Sequence, residues 1–330
     1  MNPLTIVIPT YERPEYLAEC LQTVEAQTRR DFDLVVLDNA STRDYHPVLD
    51  RFAHLGIEYL RNETNIGSGP NQAKARAICA RSEYGMVFHD DDLMHPRLIE
   101  WELGLMESHP DAAWVASECS QFLDGSAPPF ELWQSVTGKA QFYFDQASLV
   151  RQLLNDSTLH FGSAVYRSSA MDAFVPRLQS IEKFHIVGDR PYMLEVARSG
   201  SMGLIAEPLV LYRLHGAQDT HDPNFSEDQA ISLMHYYRDF LPEVLDPQDE
   251  RVFMRHSTNY LLHVHSFTRS ENHDSFWRSV ARERAEGLFR WRSIDGQGAA
   301  AIAGMMGVGR AFEALRAALR AAERAVRTRS

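Results

Sequence analysis

Tyr84 to Pro96 reads YGMVFHDDDLMHP, and the rest of the chain is organised around it. The apolar run Met86-Val87-Phe88 has the character of a short buried strand. It stops abruptly at His89-Asp90-Asp91-Asp92. Three successive carboxylates at a strand end repel one another unless solvent or a cation screens them. Oxygen-only ligands suit a hard divalent ion, Mg²⁺ or Mn²⁺. The competing reading is structural: an acidic turn capping a helix that begins near Pro96, since Asp is a favoured N-cap residue.

Working outward, the N-terminal side supplies more strand ends of the same kind. Leu4 to Ile8 is a β-branched run closed by Pro9, and Thr10, Tyr11 and Glu12 follow. Tyr16, Leu17, Cys20, Leu21 and Val24 then recur at helical spacing behind Pro14. Leu34 to Leu37 predicts a second strand, ending at Asp38-Asn39. Strand, helix and strand in this order make a βαβ unit. Ile57 to Leu60 predicts a third strand, NETNIGSGPNQ a loop, and Gln72 to Arg81 a helix. In such sheets ligands bind beyond the carboxyl ends of the strands. Three polar strand ends, at Thr10-Glu12, Asp38-Asn39 and His89-Asp92, therefore favour a binding crevice over three unrelated caps.

On the C-terminal side, Leu98 to Met106 predicts a helix and Ala113 to Ser117 a strand. Asp124 to Gly138 carries Gly, Pro and aromatic residues without periodicity, a surface excursion suited to a lid or an acceptor wall. Gly162 to Tyr166 predicts a strand. Asp189 stands at the start of a helix whose apolar side includes Met193, Val196 and Ala197, and the bland reading of it is no more than that helix's N-cap. Leu209 to Tyr212 predicts a strand ending at Arg213 and His215, which alternation places on one face. Beyond Phe225 the pattern is helical, over Asp228 to Phe240, Asp249 to Phe267 and Ser275 to Trp291, with a small, flexible stretch from Gly296 to Gly309.

The composition, 44% hydrophobic and 24% charged over 330 residues, is that of an ordinary globular chain of one or two domains. A net charge of −12 excludes a general nucleic-acid binder, which needs a basic surface. Cys20, Cys79 and Cys119 are widely spaced, without a CxxC pair, and predict neither zinc ribbon nor disulfide framework. Without a signal peptide or a membrane-length apolar run the chain reads as cytoplasmic. Its tail adds a qualification. Met305, Val308, Phe312, Leu315, Leu319, Ala322 and Val326 form a heptad-spaced apolar seam. Val308 to Ser330 holds six Arg and two Glu, a net +4 against −16 for the remainder. Such a helix packs on its own domain, lies on anionic lipid at the inner face of the membrane, or pairs with a second copy through residues 305–327.

Taken together, the motifs from Leu4 to Gln218 resemble the GT-A-fold glycosyltransferases of family 2. The opening IVIPTYERPEYLAECLQTVEAQT, then LVVLDNAST, NIGSGPNQAKAR, HDDDLMHP, GDRPYMLEVAR and LYRLHGAQDTH follow the family's order and spacing. The resemblance implies a mixed sheet flanked by helices over residues 1–222, and a helical region over 223–330. It implies an inverting transfer from a nucleotide-diphosphate sugar, UDP-sugar favoured and dTDP- or GDP-sugar open, to a glycan, lipid-linked or protein acceptor. Pro9, Thr10, Tyr11, Glu12, Asp38, Asn39, Asn65 and Gly67 would hold the nucleotide. Lys74 or Arg76 would neutralise phosphate charge, and Arg213 would bind the donor. Asp91 would be the main ligand of Mg²⁺ or Mn²⁺, assisted by Asp90, Asp92 and His215, with Asp90 also on the ribose and Asp92 on the donor sugar. Asp189 would be the general base. Two positions depart from the pattern: His89 where an acid usually opens the metal motif, and Gly188 where a Glu usually precedes the base. The alternatives are a sugar nucleotidyltransferase, whose Gly-rich basic loop PTYERPEY does not provide, and a binding protein retaining the fold.

Overall fold

The computed structural model describes residues 2–154, 160–173, 189–216, 218, 230–238, 249–268 and 273–303. The basic seam at 305–327 and Gly188 lie outside the described residues, as does the side chain of Asp189. The chain divides into two compact units, the first holding Met1–Val150, Ser157–Glu182 and Gly188–His215, the second Arg151–Asp156, Lys183–Val187 and Gly216–Ser330.

The first unit is built on one nine-stranded mixed sheet. Its strands are β1 Leu4–Thr10, β2 Phe32–Asp38, β3 Glu58–Arg61, β4 Tyr84–Val87, β5 Leu93–Met94, β6 Ala112–Leu123, β7 Ala140–Tyr143, β8 Ala164–Arg167 and β9 Ser201–Leu214. They lie in the order β3-β2-β1-β4-β8-β6-β9-β5, with β7 also on β9. β1, β2, β3 and β4 are parallel, while β8 runs antiparallel to β4 and to β6. Apolar runs buried on both faces, such as Leu4 to Ile8 and Leu34 to Leu37, suit the parallel centre of a covered sheet. The helices are α1 Pro14–Glu25, α2 His46–Arg51, α3 Ser68–Cys79, α4 Leu98–Ser108, α5 Gln146–Leu154, α6 Ser168–Ala173 and α7 Asp189–Val196. The buried face of α1, Leu17, Cys20, Leu21 and Val24, joins α4's Leu98, Ile99, Leu103 and Met106 and the sheet in one core.

Several boundaries differ from the sequence reading. α3 begins at Ser68, not Gln72, because Pro70 falls in the first turn, where no N–H is needed. Gly67, at φ 84°, makes the left-handed entry. β6 and β9 run far beyond the predicted segments and pair with each other through three register shifts. These bulges absorb Pro208 and the polar stretch that interrupt the hydrophobic pattern. β5, β7 and α2 were not predicted; a two-residue strand carries no periodicity of its own. Both ends of the Asp124–Gly138 excursion are tied to β9. Asp124 N donates to Leu214 O, and Thr137 N and Gly138 N donate to the Glu207 carboxylate.

One core group is chemically out of place. Glu102 of α4 is fully buried, and burial pushes its carboxyl well above the usual range. The folded state therefore holds a proton that the unfolded chain releases near 4.5. Stability should fall as pH rises above that value, because the native state then binds more protons than the unfolded state. Glu102→Gln should flatten this slope. Urea unfolding at about pH 5 and about pH 8 checks it; parallel wild-type and variant pH profiles would show that Glu102 is ionised in the fold.

In the second unit, helices span 230–238, Asp249–Thr268, His273–Ala285 and 296–303. Leu262, Phe276, Val280, Phe289 and Ile302 form its core. Residues 296–303 are helical rather than flexible. Asp295 caps them, its Oδ1 accepting from Gln297 N at 2.9 Å and Gly298 N at 3.2 Å. Ala299 to Ala301 then supply strong helix formers.

Candidate active site

The carboxyl ends of β1, β2 and β4 lie side by side because the three strands are parallel and in register. Thr10 is opposite Asp38, Asn39 N donates to Thr10 O, and Phe88 N donates to Val7 O. The turn after β4 therefore delivers Asp90, Asp91 and Asp92 to the same edge, all almost fully buried. They do not cap α4. Its N-cap is Arg97, without a side-chain cap; His95 Nδ1 accepts from Arg97 N at 3.0 Å and Gln27 Oε1 from Ile99 N at 3.2 Å.

Each acid has its own surroundings. Thr10 Oγ1 donates to Asp90 Oδ2 at 2.6 Å, and the Arg13 guanidinium lies 2.9 Å from Asp90 Oδ1. Tyr45 OH bridges Thr10 Oγ1, at 2.8 Å, and Arg13 N, at 2.9 Å. Burial drives the Asp90 carboxyl up to about 7 against the pull of Arg13. Asp91 Oδ2 lies 2.6 Å from Arg13 Nη1 and 2.9 Å from His215 Nε2. Burial raises the Asp91 carboxyl too, but the His215 hydrogen bond and Arg13 outweigh it and hold it well below the usual range. Asp92 Oδ1 accepts from Arg213 N at 3.0 Å, while its Oδ2 accepts no hydrogen bond. Arg213 Nε donates to Asp91 O at 2.9 Å, and its guanidinium stacks on Tyr16 and Phe122. Arg213 and His215 both turn inward and are buried, as alternation along β9 requires.

The β2 end is a polar network. Both oxygens of buried Asp38 are engaged, Oδ1 by Ser41 N at 3.0 Å and Oδ2 by Tyr59 OH at 2.8 Å and Arg61 Nε at 3.1 Å. Asn39 donates to Asn65 Oδ1 at 2.9 Å and accepts from Asn62 at 2.8 Å and Ile66 N at 3.1 Å. Gly67 N donates to Asn65 Oδ1, and Lys74 Nζ to Asn62 Oδ1 at 2.7 Å. Pro9 is buried at the β1 end, while Tyr11 is 41% exposed beside it. Glu12 has a left-handed φ of 59° and holds Thr42 N at 2.6 Å; Ala40, at φ 64°, follows Asn39. Among the described residues these are the two non-glycine positions with positive φ, and they stand at adjacent strand ends. The Arg76 guanidinium lies over the Tyr192 ring of α7. Asp189 is the first residue of α7. That helix is fixed by Trp114 Nε1 donating to Met193 O at 3.1 Å and by Tyr192 against Phe161 and Tyr166.

Sequence reasoning missed Arg13 and Tyr45. His89 stood out in the sequence only as a departure from the acidic motif, and the structure turns that ring toward Asp92 and His160. The signal for Arg13 was the Pro14 helix start, which seats the preceding residue at the β1 edge.

The model of the family described as "Glycosyl transferase family 2" matches residues 5–174. An uncharacterized glycosyltransferase of Methanocaldococcus jannaschii is 31% identical over 120 residues, 34% of this chain and 41% of that relative. The chain thus aligns with less than half of that relative. An uncharacterized glycosyltransferase of Nostoc sp. is 22% identical over 73% of this chain and 76% of the relative. In fold, the chain is similar to S. aureus TarS 1–349, solved in complex with UDP-GlcNAc, with a TM-score of 0.54 and 14% identity over 92% of this chain and 82% of that one.

Proposed function

This chain belongs to glycosyl transferase family 2, and from that premise we propose that it moves a sugar from a nucleotide-diphosphate donor to an acceptor hydroxyl with inversion. The donor is a UDP-sugar in first preference, with dTDP- and GDP-sugars as alternatives; the acceptor is a glycan, a lipid-linked sugar or a protein. The observation that carries this reading is the meeting, at one sheet edge, of the Asp38–Asn39 network, Thr10 and three buried carboxylates with Arg13, Arg213 and His215. A site of this kind offers polar groups to a nucleoside and paired opposite charges to a diphosphate.

Breaking the anomeric carbon–oxygen bond puts negative charge on the leaving diphosphate. A divalent ion bound here, Mg²⁺ or Mn²⁺, would neutralise that charge. The donor set fits such an ion at Asp91 and His215, whose Oδ2 and Nε2 converge at 2.9 Å. Asp90, held by Thr10 and Arg13, stands behind them as a supporting acid. Arg213 presents positive charge and fixes the backbone of the acidic turn through Asp91 O and Asp92. Tyr11 offers an exposed ring for the base to stack on. Lys74 organises the loop at Asn62. Asp189, at the start of α7, takes the proton of the acceptor hydroxyl as that oxygen attacks.

The test is a thermal-shift series on the full chain with UDP-, dTDP- and GDP-sugars, with and without Mn²⁺. A ligand that binds only the folded state raises stability by about 2.7 kcal/mol at a hundredfold excess over its Kd. The expected result is a shift for one nucleotide class that grows with Mn²⁺. Pyrophosphate release from a sugar phosphate and a nucleoside triphosphate, with no shift by any nucleotide sugar, would instead favour a nucleotidyltransferase.

A further inference from the structure

We propose that His89, Asp92 and His160 form a second metal site, selective for a first-row transition ion such as Zn²⁺ over Mg²⁺. The proposal stands on these three side chains and does not require the sugar-transfer reading.

The antiparallel pairing of β4 with β8 brings the three together. Gly85 lies opposite Tyr166, so the residues leaving β4 meet those entering β8. His89 and Asp92 sit in the turn after β4, and His160 immediately precedes the Phe161–Ser163 turn that leads into β8. His89 Nδ1 is 3.5 Å from Asp92 Oδ2, and one ligand atom from each of the three residues lies within 4.8 Å of the others. The two imidazoles meet edge to face at 4.6 Å, and Tyr212 backs the His160 ring at 5.0 Å.

A second observation points to a ligand. Asp92 is 1% exposed; its Oδ1 is satisfied by Arg213 N, but Oδ2 accepts no hydrogen bond. Leaving an anionic oxygen buried without a donor is costly. A cation between this oxygen and the imidazoles removes that cost. Asp91 has different company, Arg13 and His215, so the two acids serve separate centres.

The donor set decides the ion. Two imidazoles and one carboxylate suit Zn²⁺ and its neighbours, whereas Mg²⁺ and Ca²⁺ prefer oxygen throughout. Ligand atoms about 2.0–2.2 Å from a tetrahedral Zn²⁺ stand roughly 3.3 Å apart. The His89–Asp92 spacing is already close to this, and His160 closes the triangle by a shift of at most about 1.5 Å. Three protein ligands leave one position for an exogenous oxygen. The His89 side chain is 23% exposed, which gives the ion a way in.

The test uses the full chain after treatment with a chelator. Co²⁺ titration followed by visible absorption, and Zn²⁺ titration against a chromophoric chelator, report binding without reference to activity. The expected result is one tight site per chain that excess Mg²⁺ does not displace. Its affinity should fall at least about tenfold in His160→Ala and in His89→Gln and stay unchanged in His215→Ala. Melting curves accompany each variant; if His160→Ala does not fold, the partly exposed His89→Gln decides. Absence of tight Zn²⁺ binding in the wild type, equal binding in all variants, or loss confined to His215→Ala would each overturn the proposal.

Discussion

Asp189→Asn is expected to lower the rate of sugar transfer by about 10²–10⁴-fold while leaving the affinity for the donor nucleotide within about twofold. An inverting displacement needs a group that accepts the acceptor's proton on the face opposite the leaving diphosphate. An amide keeps the shape of the carboxylate but not its basicity. The nucleotide is assigned to other groups, the β1 and β2 ends, so binding should survive. The helix should survive as well, since Trp114 Nε1 on Met193 O and the packing of Tyr192 hold α7 beyond its first residue. Turnover measured with saturating donor, beside calorimetric binding of the nucleotide, separates the two effects. Undiminished turnover would take Asp189 out of the base role, and a parallel loss of nucleotide affinity would make it a binding residue.

Arg13→Met should produce the largest loss of stability among the site substitutions. Arg13 is the shared counter-charge of Asp90, at 2.9 Å, and Asp91, at 2.6 Å. Removing one partner of a buried pair typically costs about 3–5 kcal/mol. Because the Arg13 side chain is 28% exposed, about 2–4 kcal/mol is the expected figure. The sign of its pH dependence follows from Asp90. The folded-state carboxyl is raised to about 7, above its unfolded value of 3.8, so its contribution to stability is lost as pH rises through that interval. Without Arg13 the carboxyl is driven higher still, and the penalty should be larger at about pH 8 than at about pH 5. Added Mn²⁺ should recover part of the loss by binding the folded state alone. Chemical denaturation at both pH values, with and without Mn²⁺, checks each statement. A variant as stable as wild type at the higher pH would mean that Asp90 and Asp91 do not share a charge through Arg13.

The sheet's parallel centre and its polar edge were readable in the chain because both are local properties. Leu4 to Ile8, Leu34 to Leu37 and Met86 to Phe88 are short apolar runs, each ending in residues that belong in water or on a ligand. The acidic triplet was visible for the same reason, and so was the α7 start at Asp189. The extent of β6 and β9 was not, because their pairing runs through bulges that break alternation. The 296–303 helix escaped because glycine content outweighed the Asp295 cap in the pattern.

By itself, then, the sequence determined which strands end in carboxylates and that those ends share an edge, since parallel strands linked by helices must all point the same way. Only the tertiary structure decided how the three adjacent acids differ. Asp90 is buried against Thr10 and Arg13, Asp91 lies between Arg13 and His215, and Asp92 turns one oxygen toward two histidines. Neighbours in sequence say nothing of this, because the partners come from α1, β9 and the entrance to β8. Their arrival depends on strand register, and register is set by the packing of the whole sheet.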